Sequence, residues 1–310
     1  MLVEPQIPRS TILQLLSEHY QLDSVSLEFI PKGECSWNYK VQIGDEAYFL
    51  KIHGDTVLPL ERFDLLSRMY EQAHIEEILH PIKTKNDKSY VFLDSYPVVL
   101  FPYVDGKNGF EMPFPGDIRF RIGEVLAHLH QLKNVGEDYP VIEDFIFPYK
   151  QKLKELLEIT ESKNEYQKEV GILLHKNKQQ ILHSLQVLES LGEKIRRKNP
   201  ELVICHGDIH DGNILLDKDG KVHIIDWDDL KLCPKEKDLN YVKDFTETMR
   251  GYQSVLPETV VDQEIIEYYG ARWTLSEIYD WSNRILSEEH EDIENKRFLE
   301  GLEKEIEDLL

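Results

Sequence analysis

The side chains best suited to chemistry lie in the segment from His206 to Asn213. Its sequence is His-Gly-Asp-Ile-His-Asp-Gly-Asn, so that Asp208 precedes Asn213 in the pattern H-x-D-x-x-x-x-N. Phosphoryl transfer needs a carboxylate that orients the attacking hydroxyl or accepts its proton, and it needs oxygen ligands for Mg²⁺. Asp208 is predicted to be that catalytic carboxylate and Asn213 a magnesium ligand. His206, counted with the catalytic residues, is predicted to brace the loop by hydrogen bonds rather than to react.

A second carboxylate is predicted to join this segment through a hairpin. The apolar runs Ile214–Asp217 and Val222–Asp226 flank the turn Lys218-Asp-Gly220, a pattern typical of two strands joined by a turn. Such a hairpin returns Asp226 to the same edge as Asn213. Because Mg²⁺ prefers oxygen ligands, these two residues form the predicted metal site. The spacing is that of the catalytic loop of protein kinases, and the downstream carboxylate makes the match more specific.

Two other interpretations of the segment are open. His206, Asp208 and His210 form H-x-D-x-H, which could bind a transition metal in a hydrolase. That interpretation leaves Asn213 and Asp226 without a role. An acidic turn, in which Asp and Asn only cap backbone groups, is a common use of an isolated Asp-x-x-x-x-Asn. The apolar strands around the segment and the nucleotide-binding features upstream favour phosphoryl transfer over both.

The N-terminal part of the chain is predicted to bind a nucleotide. Lys51 ends the strand-like run Ala47–Lys51 and is expected to contact the phosphates, with Glu61 on the following helix as its carboxylate partner. Glu71 and Glu76 are weaker candidates because they lie nearer the end of that helix. An exposed lysine at a strand end is the alternative. The chain contains no GxxxxGK[ST] sequence, which excludes a P-loop NTPase.

Two further segments are predicted to complete the nucleotide site. The turn at residues 33–38 lies where a phosphate-covering loop is expected, and Ser36 with nearby backbone amides could bind phosphate oxygens. It holds a single glycine, so that a plain hairpin turn explains it equally well. The run Val98–Gly106 is predicted to link two lobes and to contact the adenine. The residues assigned to that contact are Phe101, Pro102 and Val104.

Hydrophobic periodicity predicts an α+β chain of two lobes. Residues 1–104 combine several strand-like runs with one long amphipathic helix at 59–73, which indicates a small antiparallel sheet. Residues 105–310 are mainly helical, apart from short strands around the His206 segment. The prediction is a nucleotide-binding lobe of residues 1–104 and a helical catalytic and substrate lobe of residues 105–310.

Composition excludes several classes of partner. The chain has 310 residues, of which 41% are hydrophobic and 30% charged, and its formal net charge is -22. This composition is typical of a folded protein, and the acidity argues against nucleic acid and anionic membranes as partners. It suits a cationic substrate, although acidity also serves solubility alone. Three scattered cysteines and the lack of a leader pattern predict a cytoplasmic location, and monomer and homodimer are both open.

With these residues placed, the chain resembles the aminoglycoside phosphotransferase family, which includes choline-kinase-like enzymes. The resemblance rests on Lys51, the Asp105-Gly106 end of the linker, the His206–Asn213 segment and Ile225-Asp-Trp-Asp228. It implies a protein-kinase-like fold of two lobes, ATP or GTP as the donor, Mg²⁺, and transfer to a hydroxyl group of the substrate.

Further segments resemble the family members that act on spectinomycin. They are Phe101-Pro-Tyr-Val104, Asn108-Gly-Phe110, Cys205–His210, Pro234–Leu239 and the helix with Tyr268-Tyr269. One departure concerns the metal site, where Trp-Asp follows Asp226 in place of Phe-Gly. Asp228 either adds charge to the site or caps the next turn, and the second interpretation is favoured.

The acceptor is expected to bind between the helical lobe and Asp208. Carboxylates and aromatic rings suit an ammonium group, by ion pairing and cation–π contact. The residues predicted to form this wall are Asp228, Asp238, Tyr241, Trp273 and Trp281. The two tryptophans lie on one predicted helix, and packing in the core explains them as well.

The predicted activity is O-phosphorylation of a small, cationic molecule, an aminocyclitol or aminoglycoside antibiotic such as spectinomycin. A metabolic kinase for choline, ethanolamine or an amino sugar fits the same residues, so that antibiotic resistance and metabolism are both open. A nucleotide-binding, pseudokinase-like regulatory module is a further alternative, and the complete catalytic set argues against it. A protein kinase is disfavoured because no Ala-Pro-Glu segment follows Asp226.

Overall fold

The computed structural model describes residues 3–33, 36–54, 59–132, 135–136, 138–242, 245–287 and 290–309. These residues form two compact units, each held together by its own contacts. One unit consists of residues 1–142 and 203–259, and the other of residues 143–202 and 260–310. The boundary predicted at residue 104 falls inside the first unit, and the division into a nucleotide-binding and a catalytic lobe stays a prediction.

The elements follow one another in four stretches. The first unit begins with α1 (Arg9–Tyr20), β1 (Ser26–Ile30), β2 (Ser36–Ile43), β3 (Glu46–His53), α2 (Glu61–Ala73), β4 (Val91–Leu93), β5 (Tyr96–Pro102), β6 (Gly106–Asn108) and α3 (Gly116–His130). The second unit then contributes α4 (Lys150–Leu156) and α5 (Glu165–Lys198). The chain returns to the first unit with β7 (Val203–Cys205), β8 (Ile214–Asp217), β9 (Val222–Ile224), β10 (Lys231–Cys233), α6 (Glu236–Val242) and α7 (Thr246–Val255). It ends in the second unit with α8 (Gln263–Ser287) and α9 (Asp292–Glu307), which confirms the predicted α+β class.

The N-terminal sheet is antiparallel and has the strand order β1-β2-β3-β5-β4. Strands β2 and β3 form a hairpin in which Asn38 lies opposite Lys51, and Gly44 supplies the positive φ of 55° at the turn. The buried side chains Tyr39 and Leu50 pack with residues of α1 in one apolar cluster. This packing sets the register, because a slip by one residue would turn the apolar side chains to solvent.

Two small sheets in the same unit carry the chain around the His206 segment. Strands β6, β8 and β9 form one antiparallel sheet, and β7 pairs with β10 in the other. Ile224 at the end of β9 also bonds the segment after α2, since its N–H donates to the Glu77 carbonyl at 2.7 Å and its carbonyl accepts from Leu79 at 3.3 Å. The β8–β9 hairpin is therefore tied by backbone hydrogen bonds to the segment that follows α2.

Helices α3 and α7 approach each other so closely that only glycine fits at two positions. A Cβ atom at Gly123 would lie 1.9 Å from the Thr248 carbonyl oxygen, and one at Gly251 would lie 1.9 Å from the Phe120 carbonyl oxygen. Each glycine is therefore matched to the backbone of the opposite helix. This contact holds α7 against α3, whose C-terminal residue His130 belongs to the site described below.

The second unit is a helical bundle with its own apolar core. Helices α4, α5, α8 and α9 bury side chains such as Leu185, Leu275 and Leu302 in one cluster. The long helix α5 begins where the Asn164 side chain accepts from the N–H of Gln167, which satisfies one of the free amides of its first turn. No helix within the described residues has the length and apolar character needed to cross a bilayer.

Candidate active site

The predicted catalytic loop, the segment from His206 to Asn213, begins at the end of β7. It is held by hydrogen bonds of its own side chains. The Asn213 amide nitrogen donates to the Asp208 carbonyl at 2.9 Å and to its carboxylate at 3.3 Å. The side chain of His210 accepts from the N–H of Gly212 at 3.0 Å and caps the short 3₁₀ turn Asp211–Asn213. The loop therefore holds the predicted catalytic residue Asp208 and the predicted metal ligand Asn213 side by side.

The carboxylate of Asp208 is kept in its charged form. Burial by itself raises the pKa of Asp208, but the neighbouring His210 ring and the charges of nearby groups outweigh burial and leave this pKa below its usual range. The His210 Nε2 atom lies 3.6 Å from the Asp208 carboxylate. An ionised carboxylate can orient a hydroxyl group and accept its proton, which is the chemistry expected of a catalytic base.

His206 lies fully buried beneath this loop. Its Nε2 atom bonds the Ile225 carbonyl at 2.9 Å, and its Nδ1 atom accepts from the N–H of Asp208 at 3.2 Å. Both ring nitrogens are thus engaged with backbone groups, as expected of a residue that braces the loop. His210 accepts a backbone N–H with its Nδ1 atom, whereas a metal-bound histidine donates a hydrogen bond from its second ring nitrogen. The geometry therefore argues against H-x-D-x-H as a transition-metal site.

The β8–β9 hairpin brings Asp226 next to Asn213, as the turn signals predict. The N–H of Ile225 donates to the Asn213 carbonyl at 3.0 Å. Asp226 itself adopts a left-handed conformation with φ of 62°, an uncommon backbone state for a residue with a side chain. A conformation of this kind persists where the surroundings hold the residue in place.

The donor atoms of Asn213 and Asp226 fit a hard divalent cation. The amide nitrogen of Asn213 is turned to Asp208, which leaves the amide oxygen as its ligand atom. The side chain of Asp226 is 47% exposed, so that its carboxylate can take up an ion from solvent. Carboxylate and amide oxygens are the ligands that Mg²⁺ prefers.

Lys51 reaches this group from β3 and is almost completely buried. Its Nζ atom donates to the Asp226 carboxylate at 2.7 Å and to the Asp228 carboxylate at 2.8 Å. Burial alone lowers the pKa of Lys51, but the two carboxylates outweigh burial and hold this pKa above its ordinary value. The lysine is therefore an ammonium group placed directly at the predicted metal site.

The prediction that Glu61 is the partner of Lys51 is wrong for this structure. Glu61 is the first residue of α2 and is exposed, whereas the next residue, Arg62, is buried. The Arg62 guanidinium contacts the carbonyl oxygen of Asp228 and lies 3.5 Å from its carboxylate. A helix turns by about 100° per residue, so that only one of two neighbours can face the site.

Asp228 is a partner of two cations and not the turn cap favoured from sequence. Its carboxylate forms ion pairs with Lys51 and Arg62, and the His53 ring lies 3.9 Å from the same carboxylate. Burial, followed by the charge of Lys51, lowers the pKa of His53 to about 4, which keeps this ring neutral at pH 7. Asp228 thus adds charge to the site, and its ion pairs speak against a role as an acceptor wall.

Asp238 was also predicted to face the acceptor, and the structure corrects this as well. Its carboxylate is fully buried and accepts from the N–H groups of His206 and Gly207, both at 2.9 Å. His130 of α3 completes the set with an Nε2 contact of 3.1 Å. Asp238 therefore anchors the start of the catalytic loop from below.

A second set of contacts holds the end of the loop. Arg119 of α3 forms two hydrogen bonds with Asp211, at 2.5 and 2.6 Å, and its guanidinium lies 3.9 Å from the centre of the Phe245 ring. The hydroxyl of Tyr241 accepts from the N–H of Asp211 at 2.5 Å. Tyr241, which was predicted to bind the acceptor substrate, thus supports the loop through its hydroxyl group.

Trp273 and Trp281, which were predicted to bind the acceptor substrate, belong to α8 in the second unit. Trp281 stacks on Phe298 of α9 with ring centres 5.5 Å apart, and it lies against Gly301. This is the helix packing that the sequence left open as an alternative. Trp273 is 45% exposed.

The remaining residues that are predicted to bind the nucleotide lie at or near the ends of strands β2 and β5. The buried hydroxyl of Ser36 donates to the Asn38 side chain at 3.1 Å, and the preceding turn residues 34 and 35 lie outside the described part of the chain. Phe101 lies opposite Phe49 in the β3–β5 pair. Pro102 and Val104 line a cavity of about 480 Å³.

Several of these site residues carry little signal in the sequence. Arg62, His53 and Arg119 stand in ordinary helix or strand patterns, and only their burial reveals that they serve the site. A buried arginine or histidine needs partners, which is a signal available only once burial is known.

Comparisons with known proteins agree with this geometry. The phosphotransferase enzyme family matches residues 26–273. Protein StrN of Streptomyces griseus is 25% identical over 307 residues, which cover 92% of this chain and 89% of that protein. The crystal structure of spectinomycin phosphotransferase APH(9)-Ia with ADP and spectinomycin has a TM-score of 0.83 at 22% identity, covering 98% of both chains. The structure of a microcompartment-associated aminopropanol kinase has a TM-score of 0.69 at 15% identity, covering 96% of this chain and 95% of that one.

The family match extends over most of the chain and includes every residue of the site in the first unit. The structural matches show the protein-kinase-like fold implied by the resemblance. The chain therefore belongs to the phosphotransferase enzyme family, the aminoglycoside phosphotransferase family expected from its motifs.

Proposed function

We propose that this chain is an ATP- and Mg²⁺-dependent kinase that phosphorylates a hydroxyl group of a small cationic acceptor, an aminocyclitol or aminoglycoside such as spectinomycin. The observation that carries the proposal is the convergence of Lys51, Asp208, Asn213 and Asp226 in one compact unit. These are the groups that phosphoryl transfer needs, and Lys51 joins the other three from a distant part of the sequence.

Each of these groups has one task in the proposed mechanism. Asp208 orients the acceptor hydroxyl and accepts its proton as the oxygen attacks the terminal phosphate, whose bond to the β-phosphate oxygen breaks and releases ADP. Asn213 and Asp226 hold Mg²⁺, which when bound neutralises charge on the phosphates. Lys51 would pair with phosphate oxygens through its ammonium group.

Three observations support the choice of acceptor. The net charge of -22 attracts cations to the protein. The fold is similar to that of a spectinomycin phosphotransferase over almost the whole chain. The sequence segments that resemble spectinomycin-modifying members point the same way. Choline, ethanolamine and amino sugars share the hydroxyl and the cation, and they belong in the same test.

The wider setting follows from the donor. We place residues 1–104 with the nucleotide and residues 105–310 with catalysis and the acceptor. We place the protein in the cytoplasm, where ATP is available and where the free thiols of Cys205 and Cys233 stay reduced.

The first prediction tests the catalytic carboxylate. Release of ADP should be measured with spectinomycin, other aminocyclitols, choline, ethanolamine and amino sugars, with ATP and then GTP as donor. Asp208→Ala should lower kcat for the best acceptor by about 10²–10⁴-fold, since the hydroxyl loses the group that takes its proton.

Asp45→Ala is the matched control, because Asp45 is an exposed carboxylate at the turn between β2 and β3. It should keep the wild-type kcat. Full turnover by Asp208→Ala would sink the mechanism. Nucleotide binding without acceptor-dependent ADP release across the panel would instead favour the regulatory, pseudokinase-like alternative.

A further inference from the structure

An exposed aromatic ring stands beside the catalytic loop without a role in the proposed mechanism. Phe110, between β6 and α3, is 73% exposed. Its ring stacks on that of His210, with ring centres 5.6 Å apart and an interplanar angle of 18°. Since His210 covers one face of the ring, the other face is turned to solvent. The exposed part of the ring offers apolar area that a ligand can cover.

The loop that carries Phe110 is held in place by hydrogen bonds. The Asn108 side chain accepts from the N–H of Phe110 at 3.1 Å and from the N–H of Glu111 at 3.0 Å. The N–H of Gly109 donates to the Asp211 carbonyl of the catalytic loop at 2.9 Å. The ring is therefore presented by a fixed backbone rather than by a free loop tip.

Two glycines make room for this contact. A Cβ atom at Gly109 would lie 2.7 Å from both Asp211 and Phe114, and one at Gly212 would lie 2.7 Å from both Phe110 and His210. Such distances leave no space for a side chain. The two loops approach as closely as they do because both positions are glycine.

His210 connects the stacked rings to the reacting groups. Its Nε2 atom lies 3.6 Å from the Asp208 carboxylate and 3.1 Å from the Asn213 amide nitrogen. Its Nδ1 atom is held by the N–H of Gly212 at 3.0 Å. The plane of the stack is thus set relative to the carboxylate that receives the acceptor hydroxyl.

We propose that Phe110 and His210 form an aromatic platform beside Asp208, and that Phe110 is a specificity-determining residue which carries the ring of the acceptor. This inference rests on the proposed function and names a part of its acceptor site. The free face of Phe110 offers apolar area to the C–H groups of a cyclitol and a π surface to an ammonium group. The acceptor is the suitable occupant because its hydroxyl must lie at Asp208, next to His210.

Steady-state kinetics of Phe110 variants test the platform. Phe110→Ala should raise KM for the acceptor about tenfold, the effect of losing about 1.4 kcal/mol of stacking, while KM for ATP stays near the wild-type value. Phe110→Trp keeps an aromatic face and should restore the acceptor KM. Phe110→Leu keeps apolar bulk without the ring, and for a cationic acceptor it should resemble the alanine variant.

Phe92→Ala is the matched control, because Phe92 is 51% exposed on β4 of the N-terminal sheet. It should leave KM for the acceptor unchanged. The platform is overturned if Phe110→Ala keeps the wild-type KM for the acceptor, or if it raises KM for ATP by the same factor.

Calorimetric titration separates this inference from the proposed function. Spectinomycin and choline should be titrated into the wild-type protein and Phe110→Ala in the presence of a non-hydrolysable ATP analogue. Binding that weakens about tenfold in the variant supports the platform even if no phosphate is transferred. Binding of neither compound by the wild-type protein overturns the platform for this class of acceptor. The melting temperature of each variant shows that it is folded, and the tryptophan and leucine variants preserve the test if alanine is not tolerated.

Discussion

At the scale of single residues, the site depends on carboxylates that are paired with different partners. Asp226 and Asp228 face the ammonium group of Lys51, whereas Asp238 is enclosed by two backbone N–H groups and His130. Asp226 is half exposed, so that its carboxylate is free to bind the proposed metal ion. Asp238 has no such freedom, because removing it would leave buried N–H groups unpaired.

The second prediction concerns the anchor Asp238. Asp238→Asn should destabilise the protein by about 2–5 kcal/mol, since an amide nitrogen would then face a backbone N–H in a buried place. The free energy of unfolding should be measured by urea denaturation at pH 7 for the wild-type protein and for the variant. Equal stability of the two proteins would contradict the anchoring role.

The pH dependence of that difference follows from the pKa of Asp238. Burial raises this pKa, but the His130 hydrogen bond and nearby charges outweigh burial and hold it below the ordinary 3.8. Stability from a carboxylate with a lowered pKa is fully present above the unfolded pKa and is lost as pH falls through the folded pKa. The difference in the free energy of unfolding between the wild-type protein and Asp238→Asn should therefore be constant near pH 7. It should become smaller only below about pH 4.

At the scale of elements, helix contacts and strand pairs place these residues. The β8–β9 hairpin returns Asp226 to Asn213, and α3 carries both Arg119 and His130 to the catalytic loop. Helix α3 is in turn fixed by its glycine-mediated contact with α7. A change at that contact therefore acts on the loop without touching it.

The third prediction compares two glycine substitutions of opposite sign. Gly123→Ala should destabilise the protein by about 1–3 kcal/mol or more, because its methyl group would overlap the Thr248 carbonyl. Gly171→Ala in α5 has open space around it and should stabilise the protein by about 0.5–1 kcal/mol, since alanine favours a helix. Melting temperatures of both variants provide the measurement. A neutral Gly123→Ala would show that α3 and α7 are not in close contact.

At the scale of the whole molecule, the net charge of -22 is the dominant property. It creates a field that concentrates cations near the protein and repels anions. The field therefore attracts a cationic acceptor and repels an anionic nucleotide. The stacked rings of the proposed platform add short-range selectivity, which salt screens much less than the field.

The fourth prediction uses that difference in sign. Raising ionic strength from about 0.05 to 0.5 M should lower kcat/KM for a cationic acceptor about threefold, as salt screens the attraction. For ATP, kcat/KM should stay constant or rise, because salt weakens the repulsion. Both values should be measured in the same series of salt concentrations. A parallel fall for acceptor and ATP would indicate a general effect of salt on the enzyme instead.

The sequence by itself determined the catalytic loop, the strand hairpin behind it, the α+β order of elements and the family. These are local matters, since Asp208, Asn213 and Asp226 lie within one short stretch and periodicity reveals the strands around them. Lys51 was predicted from the strand-like run that contains it, although β3 continues beyond it to His53. The phosphotransferase class followed from this set of residue types.

Only the tertiary structure decided which side chains support those residues. Glu61 and Arg62 are neighbours in the sequence, yet one faces solvent and the other faces Asp228. Asp238 resembles an exposed acidic residue in the sequence, and Phe110 resembles an ordinary loop aromatic, until burial is known for one and exposure for the other. The physical reason is that the energy of a charge or an aromatic ring depends on the groups that surround it, and distant segments of the chain supply those groups.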